Sequence, residues 1–374
     1  MQQLFEATVA HYLKPIKPYL DDISVSEVMI NHADEIYIEK DGVLTRTKAR
    51  FSDEEAYEAA VNNILQFTGK SLYDTQSLID SRLPDGSRVH VAKAPCSRHG
   101  TAITIRKFSK SVLDMDWLIH LGTLTRQACE FLKIAVAAER NLLVAGGTSS
   151  GKSSLLNALS SFIPEGSRIV VIEDSAELQL QKEHVISLEA KQPDAMGRGA
   201  VTIRDLFRSS LRLRPDRIII GEVRGGEALD MIQAMTSGHG GSMGTLHANN
   251  PRDALNRLET MALMSKVELP LYALRAQVSS AIDIVVQMSR FIGGRRLVTQ
   301  ITEVDPLADD GNYRFRDIFR LAPRAAEDEK SEAVKDKTLQ LTWTGERSSM
   351  AGRLRPDEQD LVTDLTRPIL TPAT

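Results

Sequence analysis

Cysteine is scarce: Cys96 and Cys129 are the only two in 374 residues. They are too few for a disulfide framework or a tetracysteine zinc cluster, so the sequence reads as that of a protein in a reducing compartment. Aromatic residues make up only 5%, which leaves few of the stacking platforms that single-stranded nucleic acid needs. Neither charge sign dominates, with 46 Lys+Arg against 50 Asp+Glu and a formal net charge of −4, so no global polyanion-binding surface is encoded. No apolar run approaches the roughly 20 residues that span a bilayer. The opening stretch MQQLFEATVAHYLKPIKPYL is broken by charges and two prolines and is not built like a signal peptide. A cytoplasmic chain that meets membranes only through partners is the expectation.

The length exceeds one ordinary core, and two domains are expected. Within residues 1–110, SDEEAYEAAVNNILQFTG carries a capping box, Ser52 with Glu55, and a helical stripe of Tyr57, Ala60, Val61, Ile64 and Leu65. The strand candidates EVMI, EIYIE, SRVHVA and TAITIR surround it, giving a small α+β domain. A polar linker is expected at 111–120. Over 121–321 the apolar runs NLLVAG, RIVVIED, RIIIGE and SMGTLHA alternate with helical segments, the pattern of βα units in a mostly parallel sheet. IDIVVQMSRF and RRLVTQITEV flank Gly293-Gly294 as a β-hairpin. Residues 322–374 read as a charged, largely mobile tail with a strand candidate at 338–343.

LLVAGGTSSGKSSLLNALSSF contains G-x-x-x-x-G-K-[ST] from Gly146 to Ser153, after a strand and before a helix, which is the context that the motif requires. Glycines let successive N–H groups point inward, the helix N-terminus adds a positive dipole end, and Lys152 neutralises phosphate charge. Gly146, Gly147, Thr148, Ser149, Ser150, Gly151, Lys152, Ser153 and Ser154 are therefore the nucleotide-binding candidates. ATP and Mg²⁺ are the expected ligands, with Ser153 on the metal. A chance glycine-serine loop ending in a surface lysine is the bland alternative, and the flanking strand and helix argue against it.

Such a loop needs a carboxylate at a neighbouring strand end. RIIIGEVRGGEALD supplies Glu222, the candidate general base, and RIVVIEDSAEL supplies Glu173 and Asp174, which would orient water or metal. Glu173 and Glu222 join Ser153 as metal candidates. Helix capping remains open for Asp174 and Glu177. Arg224 is a phosphate-sensor candidate. In GHGGSMGTLHANN, His239 and His247 stand eight apart, a spacing that matches no common metal site. The stretch reads as a glycine-loosened loop aimed at the γ-phosphate edge, with His247 donating a bond that hydrolysis removes; a buried structural role stays open for His239.

GGTSSGKSS, VIEDSAEL, LRLRPDRIIIGEVRGGEALD and GHGGSMGTLHAN, in that order, resemble the secretion-superfamily ATPases of type II and type IV secretion, conjugation and type IV or tight-adherence pili. The conjugation and tight-adherence branch is the most similar. The likeness covers residues 141–250, and RLPDGSRVHV and TAITIRKF extend it toward the N-terminus. It implies a RecA-like P-loop domain preceded by a smaller α+β domain, and ATP hydrolysis by a homohexamer. It also implies a location peripheral to the cytoplasmic membrane, with inner-membrane platform proteins as partners. The resemblance makes Glu222 the base, Glu173 and Asp174 the aspartate-box carboxylates, and His239 and His247 the histidine-box pair. It places Arg82, Arg88 and Arg106, with Arg98 as a further candidate, where arginines reach the phosphates; strand-face arginines in water are the alternative. Arg204, Arg208 and Arg212 share one helical face, which suits a solvated face, a ring interface or the nucleotide edge. Two competing functions are a nucleic-acid translocase, which the few aromatics and negative charge disfavour, and a non-hydrolysing switch or scaffold, which would not need Glu222.

Overall fold

The computed structural model describes residues 8, 11–40, 42–72, 76–108, 114–193, 196–323, 339–352 and 354–370. Two compact units divide the chain, Met1–Ser111 and Val112–Thr374.

The first unit is an antiparallel sheet backed by a helix. Its strands are β1 (Val25–His32), β2 (Glu35–Lys40), β3 (Val43–Arg46), β4 (Leu78–Arg82), β5 (Arg88–Ala92) and β6 (Ala102–Arg106). Their order is β3-β2-β1-β6-β5-β4. Alternating burial along β1, β2, β5 and β6 turns Val28, Ile30, Val89, Val91 and Ile105 onto one face. There they meet Tyr57, Ala60, Val61, Ile64 and Leu65, the buried stripe of the helix Glu54–Phe67. The helix cap differs from the sequence expectation: Asp53, not Ser52, accepts from the Ala56 N–H at 2.7 Å. Asp caps as well as Ser, and the shift places Glu54 and Glu55 against the positive dipole end.

The second unit holds β7 (Leu142–Gly146), β8 (Ile169–Glu173), β9 (Val185–Glu189), β10 (Arg217–Ile220), β11 (Met243–Leu246), β12 (Ile284–Arg290), β13 (Arg296–Asp305), β14 (Arg314–Pro323) and β15 (Leu339–Trp343). The sheet runs β15-β14-β13-β12-β7-β11-β10-β8-β9. From β12 to β9 neighbours are parallel, and from β12 to β15 antiparallel. Every residue of β7, β8, β10 and β11 is buried, because helices cover both faces and leave no solvated side to demand alternation. Leu142 and Val144 pack into one apolar cluster with Phe131, while Leu143 and Ala145 pack into the other with Phe207. This is the α/β, RecA-like architecture after a smaller α+β unit. Parallel strands bring the C-terminal ends of β7, β8, β10 and β11 to one sheet edge, where ligands of such sheets bind.

Two expectations change. Part of the expected linker is a helix, Met115–His120, capped by Asp114 and packed through Met115 and Leu118 into the second core. Beyond 321, β14 continues to Pro323 and β15 pairs with it. Residues 344–352 and 354–370 also pack, and do not behave as a mobile tail. The Ser349 N–H donates to the Glu303 carboxylate at 2.7 Å, and Ile369 and Leu370 are buried at 0% and 4% exposure. The apolar anchors Met350, Leu354, Ile369 and Leu370 fall in two short pairs 15 residues apart and do not build a sustained periodic run. Residues 324–338, including the first position of the strand candidate, and 371–374 lie outside the described residues.

Candidate functional site

The loop after β7 is wound for anions. Ser149 and Gly151 both take positive φ, 56° and 97°, so consecutive peptide groups turn inward ahead of the helix Lys152–Ser160. A Cβ on Gly146 would stand 2.6 Å from the Met288 carbonyl oxygen and 2.6 Å from Ser150 Oγ, so this glycine is a close-approach requirement. The Lys152 ammonium, 8% exposed, donates to the carbonyls of Gly146 at 3.1 Å and Gly147 at 2.8 Å. Ser150 Oγ donates to Gly147 O, and Ser153 Oγ donates to Glu177 Oε2 at 3.1 Å. Beside the loop, Leu118, Leu121, Gly151, Ser154, Met288 and Leu297 line a hollow of about 200 Å³. Positive-φ residues, a helix N-terminus, a buried ammonium and a hydroxyl paired with a carboxylate together fit a nucleotide phosphate chain and a hard cation.

Next to the loop, Glu222 follows β10. Its carboxylate accepts from Arg224 Nη2 at 2.7 Å and lies 2.9 Å from His247 Nε2, and Arg224 Nη1 reaches Asp174 at 3.2 Å. Burial alone would raise the Glu222 carboxyl, but the Arg224 hydrogen bond and the charges of Arg224, His247 and Lys152 hold it below its ordinary value. His247 is also held below its ordinary value, first by burial and then by the Lys152 charge, against the pull of Glu222. At neutral pH the pair is therefore a carboxylate facing a neutral imidazole.

Three sequence expectations change here. Glu173 turns inward: at 4% exposure, its Oε1 accepts from the N–H groups of Glu177 at 2.9 Å and Leu178 at 3.0 Å. It organises the irregular segment after β8, whose N–H groups have no helix to satisfy them. A Cβ on Gly221 would come within 2.8 Å of Glu173 Cγ, so the glycine before Glu222 makes room for this buried carboxyl. Glu177, and not Glu173, is the carboxylate that meets Ser153, a contact that its sequence spacing did not reveal. Second, His239 is not at the nucleotide edge. β11 separates the two histidines, and four residues at about 3.3 Å each carry them to opposite sheet edges. His239 receives at its carbonyl from Ser242 Oγ, and its buried Nδ1 has no partner among the described residues. Third, Arg204 and Arg208 are tied to a neighbouring helix through Asp230, at 2.6 and 3.0 Å, and Arg204 also donates to Ser265 O. Arg212 lies exposed in the following turn.

In the first unit, Arg82 stands opposite Arg88, Arg88 opposite Arg106, and Arg106 opposite Glu27. The row sets three like charges side by side, with the Glu27 carboxylate 3.9 Å from Arg106 Nε at its end. Arg98 lies exposed in the loop between β5 and β6.

Burial dominates the Glu173 carboxyl and pushes it up to about 7, although its two N–H bonds pull the other way. The folded state therefore holds this proton more tightly than the unfolded chain. The Glu173 contribution to stability is fully present below the ordinary carboxylate range and is lost as pH climbs from 4.5 to about 7. Glu173→Gln removes that decline: relative to the variant, the wild type should lose roughly 3 kcal/mol across the window, an order-of-magnitude figure read by urea unfolding at several pH values. Parallel pH dependences in the two proteins would refute the assignment.

A family model described as type II/IV secretion system protein matches residues 10–306. The type IV secretion system protein PtlH of Bordetella pertussis is 34% identical over 329 residues, covering 81% of this chain and 97% of its own length. The type IV secretion system protein VirB11 of Brucella suis is 31% identical over 309 residues, covering 75% and 86%. Among solved structures, the pilus retraction motor PilT with bound ADP matches with a TM-score of 0.57 at 20% identity, over 81% of this chain and 84% of its own. That last likeness is one of fold.

Proposed function

This chain belongs to the type II/IV secretion system protein family and is an ATP hydrolase of that family, and on this premise we propose that it works as a homohexameric motor. It acts at the cytoplasmic face of an inner membrane and drives a pilus, conjugative or protein-secretion machine through inner-membrane platform proteins. The observation that carries the reading is the Glu222 carboxylate held between His247 and Arg224, on the sheet edge where β7 enters the phosphate loop. Among the described residues no helix is long and apolar enough to cross a membrane.

Ser153 would hold Mg²⁺, with Glu177 accepting from its water shell, and the bound cation would neutralise charge between the β- and γ-phosphates. The chain's own residues do the rest. Lys152 swings from the Gly146 and Gly147 carbonyls onto the phosphates, exchanging two neutral acceptors for charged ones. The hollow beside Gly151 and Ser154 takes the base. Glu222, ionised at neutral pH, accepts the proton of the attacking water. His247 donates to the γ-phosphate when that group is present and returns to Glu222 when it leaves, so β11 carries the nucleotide state across the sheet. Arg82, Arg88 and Arg106 of the first unit are proposed as further phosphate-binding residues.

Two measurements test this. Turnover should need Mg²⁺ and vanish in chelator; ATP hydrolysis undiminished by chelation would overturn the metal assignment. The pH profile of kcat should fall at low pH as Glu222 gains its proton, below the ordinary carboxylate range. Because the Arg224 bond is the main influence lowering that carboxyl, Arg224→Ala should move the acid limb to higher pH. An acid limb that stays in place would remove Glu222 as the base.

A further inference from the structure

The two site residues Glu222 and His247 ride on neighbouring strands, β10 and β11, joined by a short ladder. Register pairing holds only at Ile219–Met243 and Ile220–Gly244, whereas β7–β11, β8–β10 and β7–β12 pair over longer stretches. Beyond the ladder, near the site, the Val223 N–H donates to Thr245 O at 2.8 Å and Thr245 Oγ1 donates to Gly221 O at 2.6 Å. At the opposite end stands Arg217, the first residue of β10, with 3% of its surface exposed. Its Nη1 donates to Gly240 O at 2.9 Å and lies 3.3 Å from Glu139 Oε1. Gly240 and Gly241 form the turn that leads into β11. Gly241 takes a φ of +72°, and a Cβ there would lie 2.3 Å from Arg217 Nη1. A guanidinium is thus wedged beneath a turn that only glycine can make over it.

We propose that Arg217 is a positioning residue for hydrolysis, a brace that fixes the register of β11 against β10 and so keeps His247 opposite Glu222. The proposal rests on the reading of Glu222 and His247 as the hydrolytic pair. Both contacts converge on one nitrogen, Nη1, while Nε is buried without a partner among the described residues, so the rigid guanidinium plane serves to hold that one donor under the Gly240–Gly241 turn. Burying the charge is costly, and that cost is reasonable only where a fixed position matters. Arg217 acts through two strands and touches no substrate. Its loss should therefore spare nucleotide binding and reduce turnover, since a displacement of about 1 Å at a reacting pair costs up to roughly a hundredfold.

The test measures kcat, KM for MgATP and affinity for a fluorescent ATP analogue in the full chain, for Arg217→Met, Arg217→Lys, Gly241→Ala and the double variant Arg217→Met/Gly241→Ala. Arg217→Met should lower kcat roughly tenfold to a hundredfold with KM within about twofold. Arg217→Lys should fall between it and the wild type. Gly241→Ala, which displaces the guanidinium, should reproduce the defect, and the double variant should be no worse than either single one, because both remove the same brace. The proposal is overturned by wild-type kcat in Arg217→Met, by equal loss of kcat and nucleotide affinity, by defects that multiply in the double variant, or by variants that lose fold and binding together. Glu222→Gln assayed alongside separates the two failures. If it still turns over, the underlying reading fails; if it is inactive while the Arg217 variants are normal, only the brace fails.

Discussion

Glu222→Gln is expected to lower kcat by roughly 10²–10⁴-fold, the range that a positioned general base contributes, while nucleotide affinity stays within about twofold. Glutamine keeps the size of the side chain and an oxygen for Arg224, whose Nη2 lies 2.7 Å from the present carboxylate. What it loses is the capacity to take a proton. Stopped hydrolysis with retained binding is therefore the signature, read by phosphate release and by titration with a fluorescent ATP analogue. Unchanged release would show that another group activates water. Loss of binding would show that Glu222 holds the loop together instead of serving the chemistry.

Lys152→Ala is expected to cost both binding and turnover. The ammonium is the buried cation of the loop, satisfied at rest by the Gly146 and Gly147 carbonyls. Removing it takes a charge-assisted donor from the phosphates, worth about 1.5–3 kcal/mol, or roughly a tenfold to hundredfold loss of affinity. Turnover should fall further, by roughly 10²–10³-fold, as for other preorganised donors aimed at developing charge. Isothermal titration with ATP, together with phosphate release, separates the two effects. Full affinity in the variant would mean that backbone N–H groups alone hold the nucleotide.

Much of this was readable in the sequence, and the reasons are local. The phosphate loop is a contiguous signal: glycines, lysine and hydroxyls in fixed order between an apolar run and a helical one, so Gly146–Ser153 could be placed on a strand-to-helix turn without coordinates. Glu222 was legible because a lone carboxylate ends an otherwise apolar run, IIIGE. Glu173 misled by the same rule, since VIED also ends a buried strand with acid. Only the coordinates show that this carboxyl folds back on the N–H groups of Glu177 and Leu178. The histidines misled through proximity: GHGGSMGTLHAN sets them close in sequence, yet β11 carries them to opposite sheet edges. Arg217 gave no signal at all. A charged residue opening a buried strand reads as a surface flank, and its partner Gly240 is 23 residues away. The packed segment after β15 was illegible because its anchors, Met350 with Leu354 and Ile369 with Leu370, are two isolated pairs and not a sustained helical or strand pattern.

The central claim is that this chain is a ring-forming ATP hydrolase with Glu222 as its base, and phosphate release measured against protein concentration, with mass determined by light scattering in the same samples, tests it most directly. Mg²⁺-dependent turnover is expected, with a rate per protomer that rises as hexamer mass appears and collapses in Glu222→Gln at equal mass. Turnover per protomer that is independent of assembly, or a Glu222→Gln ring as active as the wild type, would contradict it.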